Sequence, residues 1–220
     1  MEDDSGLIYV EPLQLRYNRR MGRPRSFDTA ATLRAIEERF RATGYAGTSL
    51  DDVAAATGLG RGSIYAAFGD KHELFMRSLE EFCQRTEADV AAALDGPDDT
   101  AVSRLHAFLL AAAQVGDGGT GTKCMATKFA VELDAQDAEA RERVGHTFSV
   151  LRRRLRDCVL AAQRHGDVDA SADADLVAGL LFTMTRGLEV MASAGQTADE
   201  LEPIAEAAFR TLPLTANVAG

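Results

Sequence analysis

Between Thr48 and Phe68 the chain reads Thr-Ser-Leu-Asp-Asp-Val-Ala-Ala-Ala-Thr-Gly-Leu-Gly-Arg-Gly-Ser-Ile-Tyr-Ala-Ala-Phe, and few backbones satisfy that order. Two short runs at helical spacing meet at Gly58. With Leu50 taken as the first position of a helix-turn-helix, Ala54 falls fifth, at the crossing of the two helices, where only a small side chain fits. Gly58 falls ninth, where a tight turn favours a positive φ that a Cβ would penalise. Val53, Leu59, Ile64 and Ala67 supply the small core between the helices, and Ser49 is placed to cap the first of them. The second helix is expected over Arg61 to Phe68. It leaves Arg61, Gly62, Ser63, Tyr65 and Ala66 on its exposed face or leading end, a presentation suited to a DNA major groove.

The rest of the chain reads as helix as well. A helix opens near Ser26 or Asp28, turns Ala31, Ile36 and Phe40 inward, and stops at Gly44. Asp70 starts a further helix, with Leu74, Phe75, Leu79 and Phe82 at helical spacing, and Gly96-Pro97 ends it. Helices follow at about 98–115, 123–135, 138–165, 172–194 and 197–212. No stretch alternates apolar and polar residues long enough for a strand, so the expected fold is all-α, with about nine helices. The last two carry wide apolar stripes, Leu176, Leu180, Met184, Leu188 and Met191 in one and Ile204, Ala208 and Leu212 in the other. Stripes of that width need partners on more than one side.

Net charge argues at first against nucleic acid: 24 Lys plus Arg stand against 34 Asp plus Glu, a formal −10. Divided by region the sign changes. Residues 1–15 contribute −4, residues 16–72 hold ten bases and six acids, and residues 73–220 contribute −10. The positive part contains Arg16, Arg19, Arg20, Arg23 and Arg25 with no acid between them, an arm directly ahead of the first helix. No apolar run approaches the ~20 residues of a membrane span, and the acidic start Met1-Glu2-Asp3-Asp4 is unlike a signal peptide; a cytoplasmic location is expected.

Several other chemistries are set aside. Gly116-Asp-Gly-Gly-Thr-Gly-Thr-Lys123 approaches a phosphate-binding loop, but its Lys is one place late and a helical pattern precedes it where a buried strand is needed. It reads as a loop between helices. His72, His106, His146 and His165 show no metal-ligand pairing, and no nucleophile and base stand at a recognisable spacing. No metal, no cofactor and no enzymatic activity are expected. Cys83, Cys124 and Cys158 are too widely spaced for a disulfide framework. Cys124, at a helix start beside Lys123 and one turn from Lys128, fits a stabilised thiolate, so a redox or electrophile sensor is the alternative to a plain packing role.

The run Gly22-Arg-Pro-Arg, the helix-turn-helix and Gly62-Ser-Ile-Tyr-Ala-Ala-Phe-Gly-Asp-Lys-His-Glu-Leu-Phe75 resemble the N-terminal domain of TetR/AcrR-family transcriptional repressors. The resemblance implies a homodimer on a palindromic double-stranded operator, released when a small molecule binds the C-terminal helical domain. It implies phosphate contacts from Thr48, Ser49 and Lys71, groove contacts from Arg61, Gly62, Ser63, Tyr65 and Ala66, and a basic arm that includes Arg23 and Arg25. Many members carry an aromatic or a His at the positions of Ala66 and Ala67, so reach is shorter here. More weakly, Lys123-Cys-Met-Ala-Thr-Lys-Phe-Ala-Val-Glu-Leu133 resembles a Gly-Cys-Leu segment of one subset, with Lys123 in place of Gly.

The chain therefore divides into residues 1–21, a disordered extension ahead of a usual start at Met21; residues 22–72, the DNA-binding head; and residues 73–216, the ligand-binding and dimerisation body. Met76, Leu79, Phe82, Phe108, Met125, Phe129, Phe148, Leu151, Phe182 and Met184 are the candidate pocket. Few charges accompany them, which points to an apolar or aromatic effector. Gly179, Leu180, Thr183, Met184, Gly187, Met191 and Ala208 are the candidate dimer interface, the small residues permitting close approach.

Overall fold

A computed structural model describes residues 28–114, 128–129 and 137–216. Helix α1 spans Thr29–Gly47, and the Asp28 carboxylate accepts from the Ala31 amide at its start. Its regular part breaks at Gly44, whose φ of 76° is where the sequence places the stop. Helix α2 is Leu50–Thr57 behind a capping box of Ser49 and Asp52, and Gly58 ends it in the left-handed region at φ 68°. A Cβ at Gly58 would meet nothing within 4 Å, so conformation, not space, demands glycine there. Helix α3 is Arg61–Phe68, and α4, Lys71–Leu94, follows a second capping box of Asp70 and Glu73.

After α4 a 3₁₀ turn at Asp98–Thr100 leads into α5, Ala101–Ala113. Helices α6, Ala138–His165, α7, Ala174–Ser193, and α8, Ala198–Phe209, complete the body. Among the described residues there is no strand, only an isolated antiparallel bridge of Val168 with Leu214. Of the helix expected at 123–135, Lys128 and Phe129 are described and are helical. The extension 1–21, the arginine arm, the glycine-rich loop and Cys124 lie outside the described residues.

The buried side chains form two cores. One is built by α5 to α8 and the far end of α4, around Leu105, Leu109, Leu151, Leu155, Val159, Leu181 and Leu201. The other begins in the head with Ile36, Phe40, Val53, Ile64 and Phe68, runs along α4 from Leu74 to Cys83, and takes in Phe129, Ala140 and Val144. Ala31 is exposed and Leu33 points inward in its place, since the buried stripe of α1 runs through residues 33, 36, 37 and 40.

Phe75 joins the two ends of this second core. Its ring centroid lies 5.2 Å from Phe40 and 4.9 Å from Tyr45, both on α1, and 4.9 Å from Phe129. Elsewhere between α1 and α4 Glu37, 3% exposed, accepts from Arg85 of α4 at 2.6 Å and lies 3.5 Å from Arg41. A carboxylate so buried persists only with such partners. Helix α7 corrects one expectation: by length and composition it is apolar enough to cross a membrane. Its inner side, a third of the apolar stretch, is buried, packed on α5, α6 and α8.

Replacing Phe75 by Ala removes a ring buried against three others. Phe75→Ala is expected to lower unfolding free energy by about 3–5 kcal/mol in a urea titration. A loss below about 1 kcal/mol would mean the junction repacks without it.

Candidate nucleic-acid interface

Helix α3 stands on Ile64 and Phe68, both buried, with Ala67 packed beside them, and the opposite side of its two turns faces outward. Arg61, Gly62, Tyr65 and Ala66 are exposed, Tyr65 by 51%, and Ser63 is half-buried. Arg77 of α4 donates to the carbonyl of Ala67 at 3.0 Å, tying the end of α3 to the long helix. The helix is thus fixed at its base and open along its outer face, the geometry a groove-reading helix requires.

The flanking candidates behave differently from one another. Ser49 is exposed, with its hydroxyl spent on the capping box: it accepts from the Asp52 amide and donates to the Asp52 carboxylate at 2.7 Å. Those bonds from Ser49 hold Asp52 below the usual carboxylate range, and Arg39 adds to them at 3.0 Å. Thr48 is buried: it is 1% exposed, and its hydroxyl donates to the Gly44 carbonyl at 2.7 Å, so its side chain closes the end of α1. Lys71, at the first position of α4, lies 4.6 Å from the centroid of the Tyr45 ring. That cation–π contact keeps the ammonium beside the head while leaving it half-exposed.

Arg61 forms a two-point ion pair with Asp51 of α2. The pair raises the Arg61 pKa, chiefly through the hydrogen bond to Asp51. With Arg39 on Asp52 and Arg41 near Glu37, most of the folded head's arginines are matched by acids. Residues 28–72 hold five bases and six acids, so the positive charge of the head resides in the arm, where Arg23 and Arg25 lie, outside the described residues.

In the body the candidate pocket residues separate into two groups. Leu79, Phe82 and Phe129 are packed into the core that continues from the head, with Met76 half-buried against it. Phe108, Leu151, Phe182 and Met184 belong to the body core, and Phe148 reaches across, its ring 5.2 Å from that of Phe182. Met125 lies outside the described residues. Phe148 and Phe182 also line an open groove of about 650 Å³ with Leu176, Gly179, Leu180 and Thr183.

Two charged residues that the sequence reading passed over accompany the aromatic pair. Arg186 lies over the Phe182 ring at 5.2 Å and pairs with Glu189 at 2.7 Å, both side chains about 85% covered. Burial pushes Glu189 up to about 7, against the pull of Arg186, and its Oε2 has no hydrogen-bond partner among the described residues. The expectation of few charges near the aromatic set is therefore corrected. At the junction of α4 and α6, Arg143 bonds Glu80, Glu87 and Thr147. Burial opposes ionisation of Glu87, yet Arg143 and Thr147 hold it below its ordinary pKa. Burial raises the thiol pKa of Cys83 and of Cys158, which suits neither to thiolate chemistry.

All the candidate dimer residues but Ala208, which is on α8, lie on α7. Leu180 and Met191 are exposed, as are Thr183 and Gly187, and Leu176, Val190 and Ile204 of α8 extend the same face, Leu176 by 72%. Met184 and Ala208 are half-buried and pack against the body core. An exposed apolar strip this long marks an interaction surface.

Glu189 makes one expectation for pH. The unfolded chain releases this proton near 4.5 and the folded chain near 7, so the stability the group contributes is complete below about 4.5 and lost as pH rises through 7. Relative to Glu189→Gln, the parent should lose of the order of 3 kcal/mol between pH 4.5 and 8, at about 1.4 kcal/mol per pKa unit. Parallel urea titrations across that range read the difference; a flat one would place the Glu189 pKa at its ordinary value.

Two family models match the chain: that of the bacterial regulatory proteins of the tetR family over residues 33–77, and that of the Tetracyclin repressor-like C-terminal domain over residues 101–208. The HTH-type transcriptional repressor ComR of Escherichia coli K12 is 26% identical over 193 residues, 87% of this chain and 92% of its own. A TetR transcriptional regulator from Chloroflexus aurantiacus, of known structure, is 27% identical and superposes with a TM-score of 0.70 over 84% of this chain and 94% of its own. The regulator CifR, solved with a 26-base-pair operator, shares the fold at TM-score 0.68 and 24% identity, over 87% of this chain and 100% of its own. One matched model falls on the head and the other on the body, and the chain belongs to the TetR family of transcriptional regulators.

Proposed function

We propose that this regulator is a homodimeric repressor that reads a palindromic operator through α3 and leaves it when a small effector occupies the body. The observation that carries the reading is the joint at Phe75, which touches the head through Phe40 and Tyr45 and the body through Phe129. A change of packing in the body cannot leave α4, and hence the base of α3, where it was. Two α3 helices held about one DNA turn apart, ~34 Å, match successive major grooves, and an effector that favours another spacing releases the DNA. Such an effector must bind the released state more tightly; equal affinity for both shifts nothing.

The exposed strip from Leu176 to Met191, with Ile204, supplies the dimer contact, and isologous pairing across it covers the apolar side chains on both copies. Tyr65, Ala66 and Gly62 address the groove, Arg61, Ser63, Ser49 and Lys71 the backbone and its edges, and the arm with Arg23 and Arg25 adds sequence-independent attraction. The similarity to the repressor ComR supports repression as the sign of the effect, and the operator complex of CifR supports DNA as the partner. For the effector, the Phe148 and Phe182 rings beside Arg186 and Glu189 favour an aromatic or apolar molecule that carries one polar group.

Duplex fragments from the region upstream of the gene, in a fluorescence-anisotropy titration, test the head. Tyr65→Ala and Lys71→Ala are each expected to weaken binding about tenfold with circular dichroism unchanged. Parent-like binding by both would reject α3 as the reading helix. Leu180→Asp is expected to sediment as a monomer at micromolar concentration and to lose operator binding with it; a dimer that persists would place the interface elsewhere.

A further inference from the structure

The pair between Asp51 and Arg61 is an exposed one and adds little to holding the head together. Asp52, its neighbour, serves the capping box and Arg39, while Asp51 and Arg61 remain 66% and 59% exposed and touch across the gap between the first turns of α2 and α3. The guanidinium offers Nε and Nη2 to the two carboxylate oxygens, the same two-point geometry by which an arginine takes a phosphate. Arg61 opens the helix proposed to enter the groove, so the acid occupies it at the position where a DNA phosphate arrives.

We propose that Asp51 is a built-in phosphate surrogate: it holds Arg61 in the free protein, and DNA gains that arginine only by displacing the carboxylate. The consequence is a lowered affinity for DNA of any sequence. A head whose folded residues already carry one more acid than base, with its first groove-facing cation masked, binds non-operator duplex weakly and relies on the arm for attraction. The inference rests on α3 being the DNA-contacting helix.

The test uses the full chain, a mixed-sequence duplex of about three helical turns, ~30 base pairs, and salt titrations of the parent, Asp51→Asn, Arg61→Gln and the double variant. Asparagine keeps the volume of Asp51 and leaves the Ser49–Asp52 box intact. D51N is expected to bind about two- to fivefold more tightly near 0.1 M salt and to steepen the slope of log affinity against log salt by ~0.9, one further phosphate neutralised. In the R61Q background the same substitution should change neither. A gain that persists without Arg61 would reduce Asp51 to simple repulsion of DNA and overturn the proposal, as would unchanged or weaker binding by D51N. Parent-like binding by Tyr65→Ala and Lys71→Ala would instead refute the assignment of α3.

Discussion

The contact between head and body centres on one ring. Phe75 sits at the start of α4 among Phe40, Tyr45 and Phe129, edge-on or tilted to each of them. Such contacts add about 0.5–1.5 kcal/mol per pair beyond the area they bury, and their preferred angles restrict the rings to few arrangements. Glu37 with Arg85, further along α4, fixes register along the same pair of helices: the buried carboxylate tolerates only a placement that brings an arginine to it. Further along α4, Arg143 with Glu80, Glu87 and Thr147 repeats the device against α6. Apolar packing supplies adhesion and these polar sets supply uniqueness, so the three-helix head is a branch of the body and not a bead on a tether.

The charge distribution has a related logic. A chain of −10 that must meet a polyanion confines its positive charge to a short arm, and its folded head is neutral to slightly negative. Exposed ion pairs on that head contribute little to stability, and their effect falls on what the arginines are free to touch. Affinity that comes from a few released cations and a shaped helix discriminates among sequences better than affinity from a broad basic face, which any duplex satisfies.

Much of this was legible in the sequence because it is local. Capping by Ser49 and Asp70, the left-handed turn at Gly58 and the stops at Gly44 and Gly166 depend on residues within a turn of each other, and the helix boundaries followed from them. The interior of the helix-turn-helix, Val53, Ile64 and Phe68, was readable for the same reason. The use of the Thr48 hydroxyl in closing the end of α1 on Gly44 was not legible, because resemblance gives a residue type without its rotamer. Glu37, Arg186 and Glu189 were passed over because a charge on a helix reads as solvated until a partner from elsewhere covers it. The two wide stripes of α7 and α8 declared that both sides would be occupied. Which side meets the body and which lies open was a matter of tertiary packing alone.

Helix α4 has 24 residues and so extends about 36 Å, at 1.5 Å per residue, with the head at one end and the body core at the other. A rod of that length converts angle into displacement. Tilting it by about 5° at the body end carries the far end some 3 Å, on the order of the spacing between adjacent base pairs. The motion needed inside the body is only a fraction of that, the difference between one side-chain packing and its neighbour. The molecule therefore has no need of a large rearrangement to change what it can grip; mechanical advantage supplies the amplitude, and the stiffness of a continuous helix keeps it from being lost on the way.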